Sequence, residues 1–299
     1  MRQGAETGQK VLIGIATTGR RDVLSNTLLH LTSFNDRPAG ILVAVADPDD
    51  IDMATATKTG LDISVLHAPR GLCRQRNCIL SAIDESGIVF FIDDDFLPAD
   101  TCLEVLRTTF DTNPDVVMVT GRVLADGIGG AGIEHTAALS ILADETPAGS
   151  SAVEDVYNGY GCNMAVRMAP VLEHGVRFDE TLPNYGWLED VDFSRRLAKY
   201  GRVVKSHALT GVHLGTKTGR SAGRPLGYSQ IANPVYLVRK GTLSCRKAAF
   251  LMSRNLTANF AKMLRPEPWS DRRGRLAGNI RAIFDLFLGR IAPGRSTGK

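Results

Sequence analysis

The sequence predicts an α/β layer fold built on a mostly parallel sheet flanked by helices. Three observations lead there. Apolar runs of strand length alternate with stretches of helical periodicity over residues 10–125. The strands are apolar almost throughout, as in a sheet covered on both faces. Their downstream ends are polar, and two of them are acidic, as at the ligand-binding edge of an open α/β sheet.

The elements follow in order. KVLIGIATTGR is a buried strand ending in a polar turn that carries Thr17 and Thr18. RDVLSNTLLHLTSF places Val23, Leu24, Thr27, Leu28 and Leu31 at helical spacing. AGILVAVADPDD is a second strand, ending at Asp47, and DISVLHAP is a short third. GLCRQRNCILSAIDES reads as a helix with Asn77 in its interior. GIVFFIDDD is a fourth strand, followed by a helix from about Ala99 to Asn113 and a fifth strand, DVVMVTGRV. Further on, GWLEDVDFSRRLAKYG has Val191, Phe193, Leu197 and Ala198 on one face and a glycine after the last turn. Glu189 and Asp190 therefore lie near the N-terminal end of that helix.

The chain has 299 residues, 43% hydrophobic and 22% charged, enough for one large domain with or without an appendage. No apolar run approaches the roughly 20 residues needed to span a bilayer, and no signal-type stretch precedes the first strand. The five cysteines are scattered without zinc-site spacing, which points to free thiols in a reducing cytoplasm. Charge is uneven. Residues 235–299 hold 14 Lys and Arg against 3 Asp and Glu, whereas the rest of the chain is net acidic. A basic tail of this kind implies an acidic partner, either an anionic membrane surface or nucleic acid.

Asp93, Asp94 and Asp95 end a buried strand side by side. One aspartate can cap a helix, but three adjacent carboxylates repel and need a positive counterpart. A divalent cation such as Mg²⁺ or Mn²⁺ takes hard oxygen ligands of this kind, often together with substrate phosphates.

Taken together, IGIATTGR, GLCRQRNCIL, FIDDDFLP, GCNMAVR and GWLEDVDFSRRL, with the following GVHLG, resemble glycosyltransferase family two and its GT-A fold over about Val11 to Gly219. The resemblance is carried by a DxD motif, a later ED motif and a His after it. It implies an inverting, sugar-nucleotide-dependent enzyme like those of bacterial polysaccharide synthesis. It implies Asp93 and Asp95 with His213 at the metal, Asp95 being the more direct ligand. Asp94 falls near the ribose or donor sugar, Asp47 near the base, and Thr17 and Arg76 at nucleotide contacts. Asp190 matches the catalytic base, with Glu189 as second candidate. Trp187 and Tyr185 flank that motif, where aromatic faces can pack on the acceptor sugar or simply fill core. Lys217 and Arg220, in the Gly- and Ser-rich GTKTGRSAGR, would either close over the diphosphate or belong to a solvated linker. The loop TTGR departs from the commoner first-loop pattern, so the nucleotide is not specified, although a UDP-sugar is favoured.

The expected organisation is a catalytic domain over residues 1–228, with a donor half at about 10–125 and an acceptor half at 126–228. A basic helical extension follows over 229–299. In it Leu276, Ile280, Ile283, Phe284, Phe287, Leu288 and Ile291 form one apolar stripe. Such a helix either lies in a membrane interface or packs on the catalytic domain; the excess charge favours the membrane, on the inner face of the plasma membrane. The expected acceptor is a saccharide or lipid-linked saccharide. No nucleic-acid module is present. Two other classes remain open: a nucleotidyltransferase that forms sugar nucleotides, for which GIATTGRRD supplies few glycines, and a non-catalytic membrane-associated scaffold.

Overall fold

The structure is a computed structural model that describes residues 9–145, 152–219 and 222–297. Four strands form a parallel block in which β1 (Val11–Thr17) lies between β2 (Gly40–Val45) and β4 (Ile88–Asp93), with β3 (Ile63–His67) outside β2. The sheet then changes character. β8 (Asn163–Arg167) runs antiparallel between β4 and β6 (Val116–Asp126), and β6 pairs in parallel with the long β9 (Arg202–His213). Short β5 (Phe96–Pro98) and β7 (Val153–Asp155) add to β9. The expected α/β layer fold is present, with a mixed second half.

Side-chain alternation divides the core. Val11, Ile13, Ile15, Phe90 and Ile92 point to one face and are sealed by α1 (Arg21–Leu31) and α4 (Cys102–Thr112). Val89, Phe91, Met164 and Val166 point to the other, beneath α3 (Leu72–Ser81), α6 (Met168–Glu173) and α7 (Glu189–Leu197). The short α2 (Met53–Lys58) and α5 (His135–Ala143) had no clear apolar period and complete the surface.

The C-terminal helices are α8 (Gly223–Lys240), α9 (Cys245–Lys262) and α10 (Arg272–Phe287). The junction expected at 228/229 falls inside α8. Leu237, Leu243 and Ala248 enter the same core as Phe91 and Phe193. Polar ties reinforce this docking. Lys240 Nζ reaches Asp192 at 2.7 Å and also pairs with Asp179, Tyr236 Oη donates to Asp179 at 2.8 Å, and Thr242 Oγ1 donates to Asp192 at 2.8 Å. α8 and α10 touch almost backbone to backbone. A Cβ on Gly278 would lie 2.1 Å from the Arg224 carbonyl oxygen, and one on Gly227 2.0 Å from that of Arg275. The predicted stripe on α10 splits accordingly. Ile283 and Leu286 pack with Tyr228 and Ile231, whereas Phe284 and Phe287 are 64% and 84% exposed. No helix among the described residues is long and apolar enough to cross a membrane.

Candidate active site

The downstream ends of β1 and β4 open into a cavity of about 960 Å³. Its acidic corner is the turn after β4, and the three aspartates there face three different cations. Asp93, half-buried, pairs with Arg76 at 3.1 Å. Asp94 is buried, accepts from Thr17 Oγ1 at 2.7 Å, and pairs with Arg20 at 2.8 Å. Burial raises the Asp94 carboxyl above its ordinary range, with Arg20 opposing and Asp95 adding to the rise. Asp95, also buried, accepts from the Thr216 backbone N–H at 2.7 Å. Its other oxygen, Oδ1, faces His213 Nε2 at 3.3 Å but completes no hydrogen bond. Burial works against ionising Asp95, but His213 and Arg20 outweigh it and hold the carboxyl down at about 2.

His213 ends β9 and is aimed by Asp126, which ends the neighbouring β6. His213 Nδ1 lies 2.9 Å from Asp126 Oδ1, and Tyr160 Oη donates to the other Asp126 oxygen at 2.9 Å. This leaves Nε2 directed at Asp93 and Asp95. Burial lowers the imidazole's basicity, but Asp126, Asp95 and Asp93 together raise it to about 10. Asp93, Asp95 and His213 each offer a ligand atom within 4.8 Å of the others. Two carboxylates and one imidazole suit a divalent cation of the Mn²⁺ or Mg²⁺ kind. The unsatisfied buried Asp95 Oδ1 and the carboxylate behind the imidazole both fit that role.

The second acidic pair is presented by a strained turn. Asn184 and Leu188 adopt left-handed φ values of 55° and 74° with Gly186 between them at 64°, a conformation that costs a non-glycine residue roughly 1–3 kcal/mol. Glu189 and Asp190 follow as the first residues of α7. Glu189 is buried against Arg76 at 2.5 Å, and Arg76 also donates to the Gly161 carbonyl at 2.7 Å. Arg76 thus spans Asp93 and Glu189, locking the two acidic motifs together from inside. Asp190 is half-buried and open to the cavity; it accepts from Gly161 N–H at 3.1 Å and Val191 N–H at 2.8 Å. Burial raises both carboxyls. Asp190 adds to the rise at Glu189, which Arg76 opposes; at Asp190 the two backbone donors and Arg76 oppose it.

The remaining expected residues divide. Thr17, Tyr185 and Trp187 line the cavity, Tyr185 well exposed at 44%. Asp47 lies outside its walls: it is exposed and caps a single 3-10 turn over Pro48–Asp50, accepting from Asp49 N–H at 3.0 Å. The buried acid of that turn is Asp50, which accepts from Gly19 N–H and ties the first loop to the end of β2. Lys217 is likewise not among the wall residues; it donates to the carbonyls of Gly127 and of Ile128, which does line the cavity, and Arg220 lies outside the described residues. Arg20 and Asp126 were not singled out from the sequence. The signal for Arg20 was its place directly after the first strand's polar turn. For Asp126 it was the eleven-residue length of β6, which carries the strand past the fifth run's apparent end to His213's neighbourhood.

Part of the cavity's lining comes from the C-terminal helices. Leu226 and Gln230 of α8, Lys247, Phe250 and Arg254 of α9 and Arg275 of α10 face the same space. The extension therefore forms part of the site.

Residues 15–169 match the model of the family described as Glycosyl transferase family 2. No curated protein matches the chain. Among solved structures, S. aureus TarS 1-349 in complex with UDP-GlcNAc is 14% identical, with 97% of this chain and 83% of that one covered at a TM-score of 0.55. The mannosyltransferase PcManGT from Pyrobaculum calidifontis, in complex with GDP-Man and Mn²⁺, is 14% identical over 94% and 88% of the two chains, with a TM-score of 0.57. Against a longer S. aureus TarS structure the chain spans about half the length, 51%, at 13% identity and a TM-score of 0.54. A family match over more than half of the residues, on a sheet and helix arrangement shared with these structures, decides the family: the chain belongs to glycosyl transferase family 2, on the GT-A fold.

Proposed function

We propose that the protein is an inverting, divalent-cation-dependent glycosyltransferase that moves a sugar from a nucleoside diphosphate sugar to a saccharide or lipid-linked acceptor. The observation that carries this reading is the convergence of Asp93, Asp95 and His213 with Asp190 in one cavity. A UDP-sugar is favoured because the TarS structure above holds UDP-GlcNAc, although PcManGT holds GDP-Man. Asp93, Asp95 and His213 would hold the cation, which when bound stabilises the charge that develops on the leaving diphosphate.

The chain's own residues supply the rest. Arg20 and Thr17 fix the Asp94 carboxylate beside the metal ligands. Asp190 takes the proton from the attacking acceptor hydroxyl, and its raised affinity for protons suits a general base. Glu189 is occupied by Arg76 and serves to position that arginine. Single-step attack from the face opposite the diphosphate requires no second carboxylate as nucleophile. Tyr185 and Trp187 offer faces to the acceptor sugar at the mouth of the cavity.

Asp190→Asn tests the assignment. Donor affinity, measured by calorimetry with the nucleotide and Mn²⁺, should stay close to wild type while turnover falls by roughly 10²–10⁴-fold. A collapse of donor affinity instead would make Asp190 a binding or structural group.

Contact with an anionic membrane is part of the proposal. Phe260, Leu264, Phe284 and Phe287 are exposed on α9, α10 and the segment between them, which also carry most of the tail's Lys and Arg. Aromatic side chains among basic residues suit the headgroup region.

A further inference from the structure

The cavity lining carries two distinct groups of charged residues. Its acidic corner holds Asp93, Asp94, Asp95, Glu189 and Asp190, each paired with a cation or a backbone donor of the catalytic half. Another part of the lining holds Lys247 and Arg254, about two α-helical turns apart on α9, a helix that contains no acidic residue. Neither has a carboxylate within 4.0 Å among the described residues. Both are nonetheless held in place by rings. The Lys247 ammonium sits 3.8 Å from the centroid of Tyr157, another cavity residue, whose hydroxyl donates to the Thr242 carbonyl at 3.3 Å. The Arg254 guanidinium lies 5.8 Å from the centroid of Phe250, which is 62% exposed. Cations ordered by aromatic contacts lose less entropy when they bind an anion. Beside them Phe250, Leu251, Leu226 and Pro225 give the same wall an apolar lane.

We propose that this wall is an anion subsite for the acceptor, in which Lys247 and Arg254 take a phosphate-type group while the apolar lane takes a chain attached to it. The proposal rests on the glycosyltransfer reading of the cavity and narrows its acceptor to an amphiphile with a phosphate between sugar and chain. The donor's diphosphate has its own counterpart in the acidic corner and its cation, which leaves the second set of positive charges for the second substrate.

The test uses the full chain with no divalent cation added, so that the acidic corner attracts no phosphate. Octyl phosphate, inorganic phosphate and octanol are titrated by calorimetry. Octyl phosphate should bind more tightly than either of the other two, and Lys247→Gln and Arg254→Gln should each weaken it by about tenfold. Both side chains are exposed on the helix surface, so the variants should melt like wild type. Equal binding of inorganic and octyl phosphate, lost in the same variants, would keep the anion subsite and make the acceptor a soluble phosphate ester. Unchanged octyl phosphate binding in both variants overturns the proposal. So does a drop in UDP affinity, measured with Mn²⁺, which would give the two cations to the donor. Failure of wild-type protein to release UDP from any donor sugar would count against the glycosyltransfer reading and leave the anion measurement standing.

Discussion

His213 is the residue whose state decides the acidic corner. With Asp126 on one nitrogen and Asp95 and Asp93 facing the other, the ring is basic to about pH 10. A cation that binds Nε2 must displace that proton, so affinity for Mn²⁺ should rise with pH, about tenfold per unit, through the neutral range. The sign follows from the raised value: below it the ring is charged and repels the ion, and each unit upward frees tenfold more neutral imidazole. Calorimetry in buffers of different ionisation enthalpy should show about one proton released per Mn²⁺ bound at neutral pH. Asp95→Asn should abolish Mn²⁺-dependent nucleotide binding with the fold retained; unchanged affinity would remove Asp95 from the site. The sequence brings these residues forward because a DxD motif, an ED pair and a later histidine follow in order along the chain, and they line one cavity. Arg20 and Asp126 were not, because nothing in a linear pattern tells which buried charge will be paired by a residue from another strand.

Among the elements, α7 and α8 are coupled through charge. Asp192, fully buried two residues beyond Asp190, and Asp179 share the Lys240 ammonium. Hydrogen bonds from Lys240, Thr181 and Tyr236 hold the Asp179 carboxyl well below its usual range, although burial works the other way. A depressed value means that the stabilisation is present above the unfolded carboxyl value, about 3.9, and fades as pH falls below it. Asp179→Asn should therefore lower the melting temperature at neutral pH, with the gap to wild type closing below about pH 4. An equal gap at both pH values would mean that shape rather than charge is responsible. Strand alternation and helical period made β1 to β4, α1, α3, α4 and α7 legible. α2 and α5 lacked a period, and β9 was missed because its polar residues Lys205, Ser206 and His207 interrupt the apolar run at the paired edge.

For the molecule as a whole, the tail is part of the packed structure. Removing residues 271–299 would uncover Tyr228, Ile231 and Ala232 and strip Asn259 and Gln230 of their buried partner Asn279. An unpartnered buried amide alone costs about 1–3 kcal/mol. The truncated chain should show a markedly lower melting temperature, so membrane contact has to be tested without deletion. Phe284→Gln with Phe287→Gln, both on the exposed edge, should leave melting unchanged and weaken binding to anionic vesicles by about tenfold or more. Unaltered vesicle binding in that variant would point the exposed edge toward a protein partner. The stripe's spacing revealed the helix, but seven apolar residues on one stripe do not say which of them a neighbouring helix will cover.

The contact between Gly227 and Gly278 has a consequence for the range of molecules the cavity can admit. Two absent methyl groups set how near α10 lies to α8, and Arg275 beside that contact helps wall the cavity. The aperture on the tail side is therefore gauged by the smallest side chain there is. An alanine at either position would have to push the helices apart at their backbones, since carbonyl oxygens rather than flexible side chains stand in the way. Homologues that carry larger residues there are expected to have a roomier gateway and to tolerate bulkier guests, with no change to any residue of the acidic corner.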